Sequence, residues 1–223
     1  MFTISNGQLL DVIPYSTGVL FVERIEFESG EARLAYRSFD LRKNDYLPVT
    51  MGVYLFNKFG AAFNEISEKL NNCVLCDSTV LPDKRAIVLT PDSNCALFDK
   101  SGELVWKGQF TYHDSKVRSP WTYGDYFWCT VPEENSVVQF DASTLKVHIR
   151  IGNVDSSAFS APATLSVYDD KVYVCNTGIG KIKTISLPNY SVSDYKSFDE
   201  PIYKYLRIDG YDVVWLKSGL YIL

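Results

Sequence analysis

The strongest constraint on this chain is a turn that occurs three times. An apolar strand ends in Phe-Asp, a polar turn follows, and another strand begins: Ser38-Phe39-Asp40, Leu97-Phe98-Asp99 and Gln139-Phe140-Asp141. A weaker copy ends at Ile185-Ser186-Leu187, where Leu187 and Pro188 replace the Phe-Asp pair. The Asp suits a turn because its carboxylate can accept an N–H two residues on. In Asp99-Lys100-Ser101-Gly102 the glycine is free to take a positive φ. Repetition at this spacing predicts an array of small antiparallel sheets, closed into a β-propeller.

Aligned on the turn, each unit opens with a densely apolar strand: Ala86–Leu89, Tyr126–Cys129, Val172–Cys175 and Val213–Leu216. After the turn come more openly alternating strands, such as Leu145–Ile151. Solid apolar runs are covered on both faces and alternating ones on a single face, so the unit runs from inner strands to the rim. Four-stranded blades take about 40–50 residues. The interval from Asp40 to Asp99 is longer, and apolar residues at 59, 62, 63, 66 and 70 assign the excess to a helical insertion over about 57–70. That insertion is read as packing over one edge of the ring, with a partner-docking helix or lid as the alternative. The last unit ends at Leu223 without an outer strand, and Phe2-Thr3-Ile4 is available to supply one. The expectation is an all-β fold: one five-bladed propeller over residues 1–223, its last blade closed by the N-terminal strand.

Composition narrows the function classes without choosing among them. A net charge of −5 argues against nucleic acid and anionic membranes as partners. No apolar segment approaches the roughly 20 residues of a membrane-spanning helix, and the N-terminus has no basic region followed by an apolar stretch. Five cysteines (73, 76, 95, 129 and 175) at irregular spacing read as reduced thiols, which with the missing signal peptide gives a cytoplasmic expectation. Cys73 and Cys76 form a CxxC in an apolar stretch expected to be strand. Residues three apart there face opposite ways, which is wrong for a chelate.

Lys171-Val172-Tyr173-Val174-Cys175-Asn176, followed by Gly180-Lys181-Ile182-Lys183-Thr184-Ile185, resembles the repeats of YVTN-, NHL- and lactonase-type propellers. The resemblance implies the fold and no activity, because such repeats serve binding scaffolds, lyases and lactonases alike.

Function is sought in the loops. The segments expected to link blades are 43–49, 111–121, 152–162 and 197–204. The second is richest in functional groups, and Arg118 and Trp121 would give a cation and a stacking wall at the channel mouth. Tyr112, His113, Tyr203 and Lys204 complete the candidate ligand-binding set, for a protein or small-molecule partner. Acidic and amide residues recur in the inner loops of three blades, among them Asp92, Glu133, Asn135 and Asn176. The lactonase resemblance implies that such a set can hold a divalent cation such as calcium as a Lewis acid; turn composition alone produces the same residues. The leading expectation needs no cofactor: a non-enzymatic scaffold binding its ligand on the loop face. The alternative is a metal-dependent lactonase-like hydrolase or lyase working in the channel. A third class is a structural part of an assembly, with an apolar patch on the insertion.

Overall fold

The computed structural model describes residues 1–69, 73–92 and 94–223, without the side chains of residues 67–69 and 73. Strand β1 (Phe2–Ser5) leads into blade 1, formed by β2 (Gln8–Tyr15), β3 (Gly18–Glu26), β4 (Ala32–Asp40) and β5 (Asp45–Pro48). Helices α1 (Met51–Phe59) and α2 (Phe63–Lys69) follow. Blade 2 is β6 (Asp77–Val80), β7 (Ala86–Leu89), β8 (Asn94–Phe98) and β9 (Leu104–Gln109). A small hairpin of β10 (Thr111–Tyr112) and β11 (Ser115–Lys116) precedes blade 3: β12 (Arg118–Tyr123), β13 (Tyr126–Val131), β14 (Ser136–Asp141) and β15 (Val147–Ile151). Blade 4 is β16 (Pro162–Tyr168), β17 (Lys171–Asn176), β18 (Lys181–Ser186) and β19 (Val192–Ser197). Blade 5 is β20 (Ile202–Ile208), β21 (Tyr211–Leu216) and β22 (Gly219–Ile222), and β1 pairs antiparallel to β22 as its fourth strand. The molecule is a five-bladed β-propeller in which the N-terminal strand closes the ring.

Among the described residues the core forms five clusters, one at each seam between blades. Period-2 alternation deals each strand's side chains to two seams in turn. On β3, Leu20 and Val22 face blade 2, whereas Val19 and Phe21 face blade 5. On β13, Phe127 and Cys129 pack toward blade 2 and Trp128 toward blade 4. The solid apolar runs are therefore buried on both faces, as their composition requires. They are the second strand of each blade. The innermost strands are β2, β6, β12, β16 and β20, which mix polar and apolar residues; the segments expected to be linking loops at 111–121, 152–162 and 197–204 run into the last three of them.

The Phe-Asp turns join third and fourth strands. Asp40 Oδ1 accepts the N–H groups of Arg42 and Lys43, both at 2.9 Å. Asp99 Oδ1 accepts from Ser101 N at 2.8 Å. Asp141 Oδ1 takes hydrogen bonds from the Ser143 and Thr144 hydroxyls and N–H groups, which lower its pKa to about 2. In blade 4 the Phe-Asp places fall to Ile185 and Ser186, opposite Val172 and Lys171 as Phe140 and Asp141 are opposite Phe127 and Tyr126, two residues before the Leu187-Pro188 pair expected from the sequence. Asn189 there accepts the Ser191 N–H at 3.1 Å.

Three further expectations need correction. Residues 43–49 are not a linker, because Asp45–Pro48 forms the outer strand of blade 1. The insertion begins before residue 57: Thr50 caps α1 by accepting the Val53 N–H, and Gly60 ends it at φ 59°. Cys73–Leu75 is a 3₁₀ turn, so the strand geometry argued for the CxxC does not apply. Leu70, the last apolar residue of the helical pattern, lies outside the described residues. Tyr54, Leu55, Phe59, Ala62 and Ile66 of the insertion are buried between Ile13, Leu20 and Val22 of blade 1 and Ala86, Val88 and Phe98 of blade 2. The insertion is a wedge between these two blades. Gly102, at φ 90° in the turn of blade 2, lies so close to the Ala61 carbonyl that a Cβ would clash with it.

Candidate functional site

The innermost strands bring a ring of side chains to the axis. Counted back from their hairpins, Asp11, Asp77, Ser119, Thr164 and Lys204 occupy equivalent positions on the five strands. From blade 2 to blade 5 the ring is zipped by side chain–backbone bonds. Asp77 Oδ2 accepts the Ser119 N–H at 3.0 Å, Ser119 Oγ accepts the Leu165 N–H at 3.1 Å, and Thr164 Oγ1 donates to the Tyr203 carbonyl at 2.5 Å. A second tier repeats the pattern, with Ser166 Oγ donating to the Tyr205 carbonyl at 2.9 Å.

Between blades 1 and 2 the wedge takes over. Lys58, on α1, reaches Asp11 Oδ2 at 2.7 Å, and the Tyr54 hydroxyl donates to the same oxygen at 2.7 Å. Lys58 Nζ also donates to Tyr54 Oη at 3.0 Å and to the Val74 carbonyl at 2.8 Å. From blade 5, Lys204 Nζ reaches Asp11 Oδ1 at 3.3 Å. Burial works to raise the Asp11 pKa, but the Lys204 and Lys58 charges, with hydrogen bonds from Lys58 and Tyr54, hold it well below its ordinary 3.8.

These groups border an axial cavity of about 440 Å³. It is lined by Asp11, Asp77, Lys58 and Lys204, by Thr79, Thr122 and Ser119, and by apolar residues that include Ile13 and Trp121. The volume falls in the range of small-molecule sites. Trp121 is half-buried, its ring edge-to-face with Tyr168 at 5.5 Å.

Of the loop residues singled out from sequence, Trp121 and Lys204 meet at this cavity. Tyr203 lines a neighbouring groove, its ring 5.4 Å from Trp215. Arg118 donates to the Pro91 carbonyl at 2.6 Å and so ties blade 3 to a loop of blade 2. Tyr112 and His113 stack at 4.0 Å on the β10–β11 hairpin; Arg150 lies over Tyr112 and holds Glu134 at 2.7 Å.

The candidate metal ligands do not converge on one place. Asn135 Oδ1 and Asn176 Oδ1 accept the Ala161 and Ser160 N–H groups, each at 2.9 Å, pinning the linker before blade 4 from both sides. Asp92, in its own loop, accepts from the Thr90 hydroxyl and from Asn94 Nδ2, and Glu133 is exposed. Among the described residues no group of three or more His, Cys, Asp or Glu side chains is placed to hold a metal ion. Cys95, Cys129 and Cys175 are buried free thiols, and burial pushes Cys95 and Cys175 up to about 12. Among the described residues no helix is long and apolar enough to cross a membrane.

Asp11, Lys58 and Asp77 were not singled out from sequence. The available signal was a lone acid within Leu9-Leu10-Asp11-Val12-Ile13 and a lone lysine beside the apolar face of α1.

No family model matches the chain, and no curated protein matches it. Among solved structures, the computationally designed Ika8 protein is similar at a TM-score of 0.51 and 10% identity, over 95% of this chain and 57% of that one. The chain thus spans little more than half of Ika8. The designed Ika4 protein gives 0.49 and 15%, over 62% of this chain and 84% of that one. Virginiamycin B lyase from Staphylococcus aureus gives 0.49 and 9%, over 100% and 72%. At these identities the likeness to Ika8 is one of fold alone.

Proposed function

We propose that this propeller is a binding scaffold whose ligand is a small polar molecule held in the axial cavity. The observation that carries the reading is the cavity itself: about 440 Å³ lined by the half-buried Trp121 together with charged and hydroxyl-bearing residues of four of the five innermost strands. An apolar wall with a few convergent polar groups provides both affinity and orientation. The rigid ring needs little rearrangement to present them, which lowers the entropic cost of binding.

The test is a thermal-shift screen of the full chain against amino acids, organic acids, amines and monosaccharides, followed by tryptophan-fluorescence titration of any hit. A hit should raise Tm and alter fluorescence in the native chain, and Trp121→Phe should abolish the fluorescence change while the protein stays folded. Hits that behave identically in Trp121→Phe, or a screen with no hit in any class, would overturn the axial reading.

A further inference from the structure

Among the described residues, four charged groups border the cavity, two acids and two lysines, and they are unequally committed. Lys58 is buried, and its three ammonium donors meet three acceptors: Asp11 Oδ2, Tyr54 Oη and the Val74 carbonyl. Asp11 is spent as well, since its oxygens accept from Lys58, Tyr54, Lys204 and the Val12 N–H. One carboxylate thus serves two ammonium groups, leaving a surplus of positive charge on the Lys204 side. Among the described residues, Lys204 has a single acceptor, Asp11 at 3.3 Å, so donor capacity remains. On the other flank of blade 1, Asp77 gives one oxygen to the Ser119 N–H and has no cationic partner among the described residues. The cavity therefore has an unspent cation on its blade 5 side and an unspent carboxylate on its blade 2 side, with Trp121 and Ile13 contributing apolar surface.

We propose that the ligand of this cavity is a small zwitterion with one carboxylate and one ammonium on an apolar skeleton, as in a free amino acid or a dipeptide. This rests on the axial-site reading above and names its ligand class. Lys204 takes the carboxylate, Asp77 takes the ammonium, and the skeleton lies against the indole. A neutral polyol would match the threonine hydroxyls but would desolvate Lys204 and Asp77 without returning opposite charge. A singly charged ligand compensates one of them and leaves the other unpaired, and that unpaired charge is the basis of discrimination.

Isothermal titration of the full chain tests this with L-leucine, L-phenylalanine and L-leucyl-L-phenylalanine. The controls are N-acetyl-L-phenylalanine, L-phenylalaninamide and glucose. At least one zwitterion should bind about 10-fold or more tightly than either singly charged analogue, the scale of a charged hydrogen bond lost on one side. Asp77→Asn should remove the preference over the N-acetyl acid, and Lys204→Gln the preference over the amide. Both variants keep the Asp11–Lys58 pair, and a native-like circular dichroism spectrum with a cooperative melt verifies the fold. Equal affinity for zwitterion and analogues, or preferences unmoved by either variant, overturns the assignment. Glucose binding that is lost in Trp121→Phe would overturn the zwitterion and leave the axial site standing. Silence from every probe overturns the zwitterion, and the wider screen then decides the site.

Discussion

The seams on the two sides of blade 2 solve one problem differently. Toward blade 3, innermost strands meet directly: Asp77 takes the Ser119 N–H, and Thr79 Oγ1 takes the Thr122 N–H at 3.0 Å. Toward blade 1, α1, α2 and the 3₁₀ turn at 73–75 stand between the blades, filling the space with Tyr54, Leu55, Phe59 and Ile66. The direct seam is short and locally bonded, so losing one hydrogen bond there has a limited effect. The wedged seam depends on a buried ion pair, Lys58–Asp11, whose partners are drawn from different elements. Breaking a pair of that kind strands a charge, which costs far more than a neutral bond. The wedge also delivers Lys58 to the axis, which a plain blade-to-blade seam would not do.

The largest effect should follow Asp11→Ala, which leaves Lys58 buried without its carboxylate. We expect a loss of about 3–5 kcal/mol in urea unfolding. The double variant Asp11→Asn with Lys58→Met should recover much of it. If the single variant costs no more than a surface substitution, the contrast between the seams fails.

Acid should open the wedged seam before the others. The Asp11 pKa is lowered on folding, so its contribution is fully present above 3.8 and is lost as pH falls through the folded value. Hydrogen exchange between pH 4 and pH 2 should show protection falling first in α1. Asp11→Asn should flatten that pH dependence, and simultaneous loss at all five seams would remove the distinction.

The smallest effect belongs to a direct seam. Ser166→Ala deletes the bond to the Tyr205 carbonyl and should cost about 1 kcal/mol. A loss as large as that of Asp11→Ala would mean the direct seams are as brittle as the wedged one.

Most of the architecture was legible because it is written in local chemistry. The aspartates of the turns at 40, 99 and 141 accept the nearby N–H groups their position required, and the N-terminal strand fills the place left open after Leu223. The solid strands were read correctly as doubly covered but set one place too near the axis. The true innermost strands, such as Asp77–Val80 and Arg118–Tyr123, mix polar and apolar residues because one edge meets the cavity. Of the loop residues chosen, only Trp121 and Lys204 reach that cavity. Asp11 and Lys58 were visible as charges in apolar surroundings, but nothing in the sequence pairs residues 47 positions apart on a strand and a helix.

By itself, then, the sequence determined the repeat, the closure and the insertion, because turn chemistry and two-residue periodicity act between near neighbours. Only the tertiary structure decided which strand lines the axis, which carboxylate holds Lys58, and where unspent charge faces the cavity. Those outcomes depend on which distant groups are desolvated together, and burial and Coulombic pairing are properties of the closed ring.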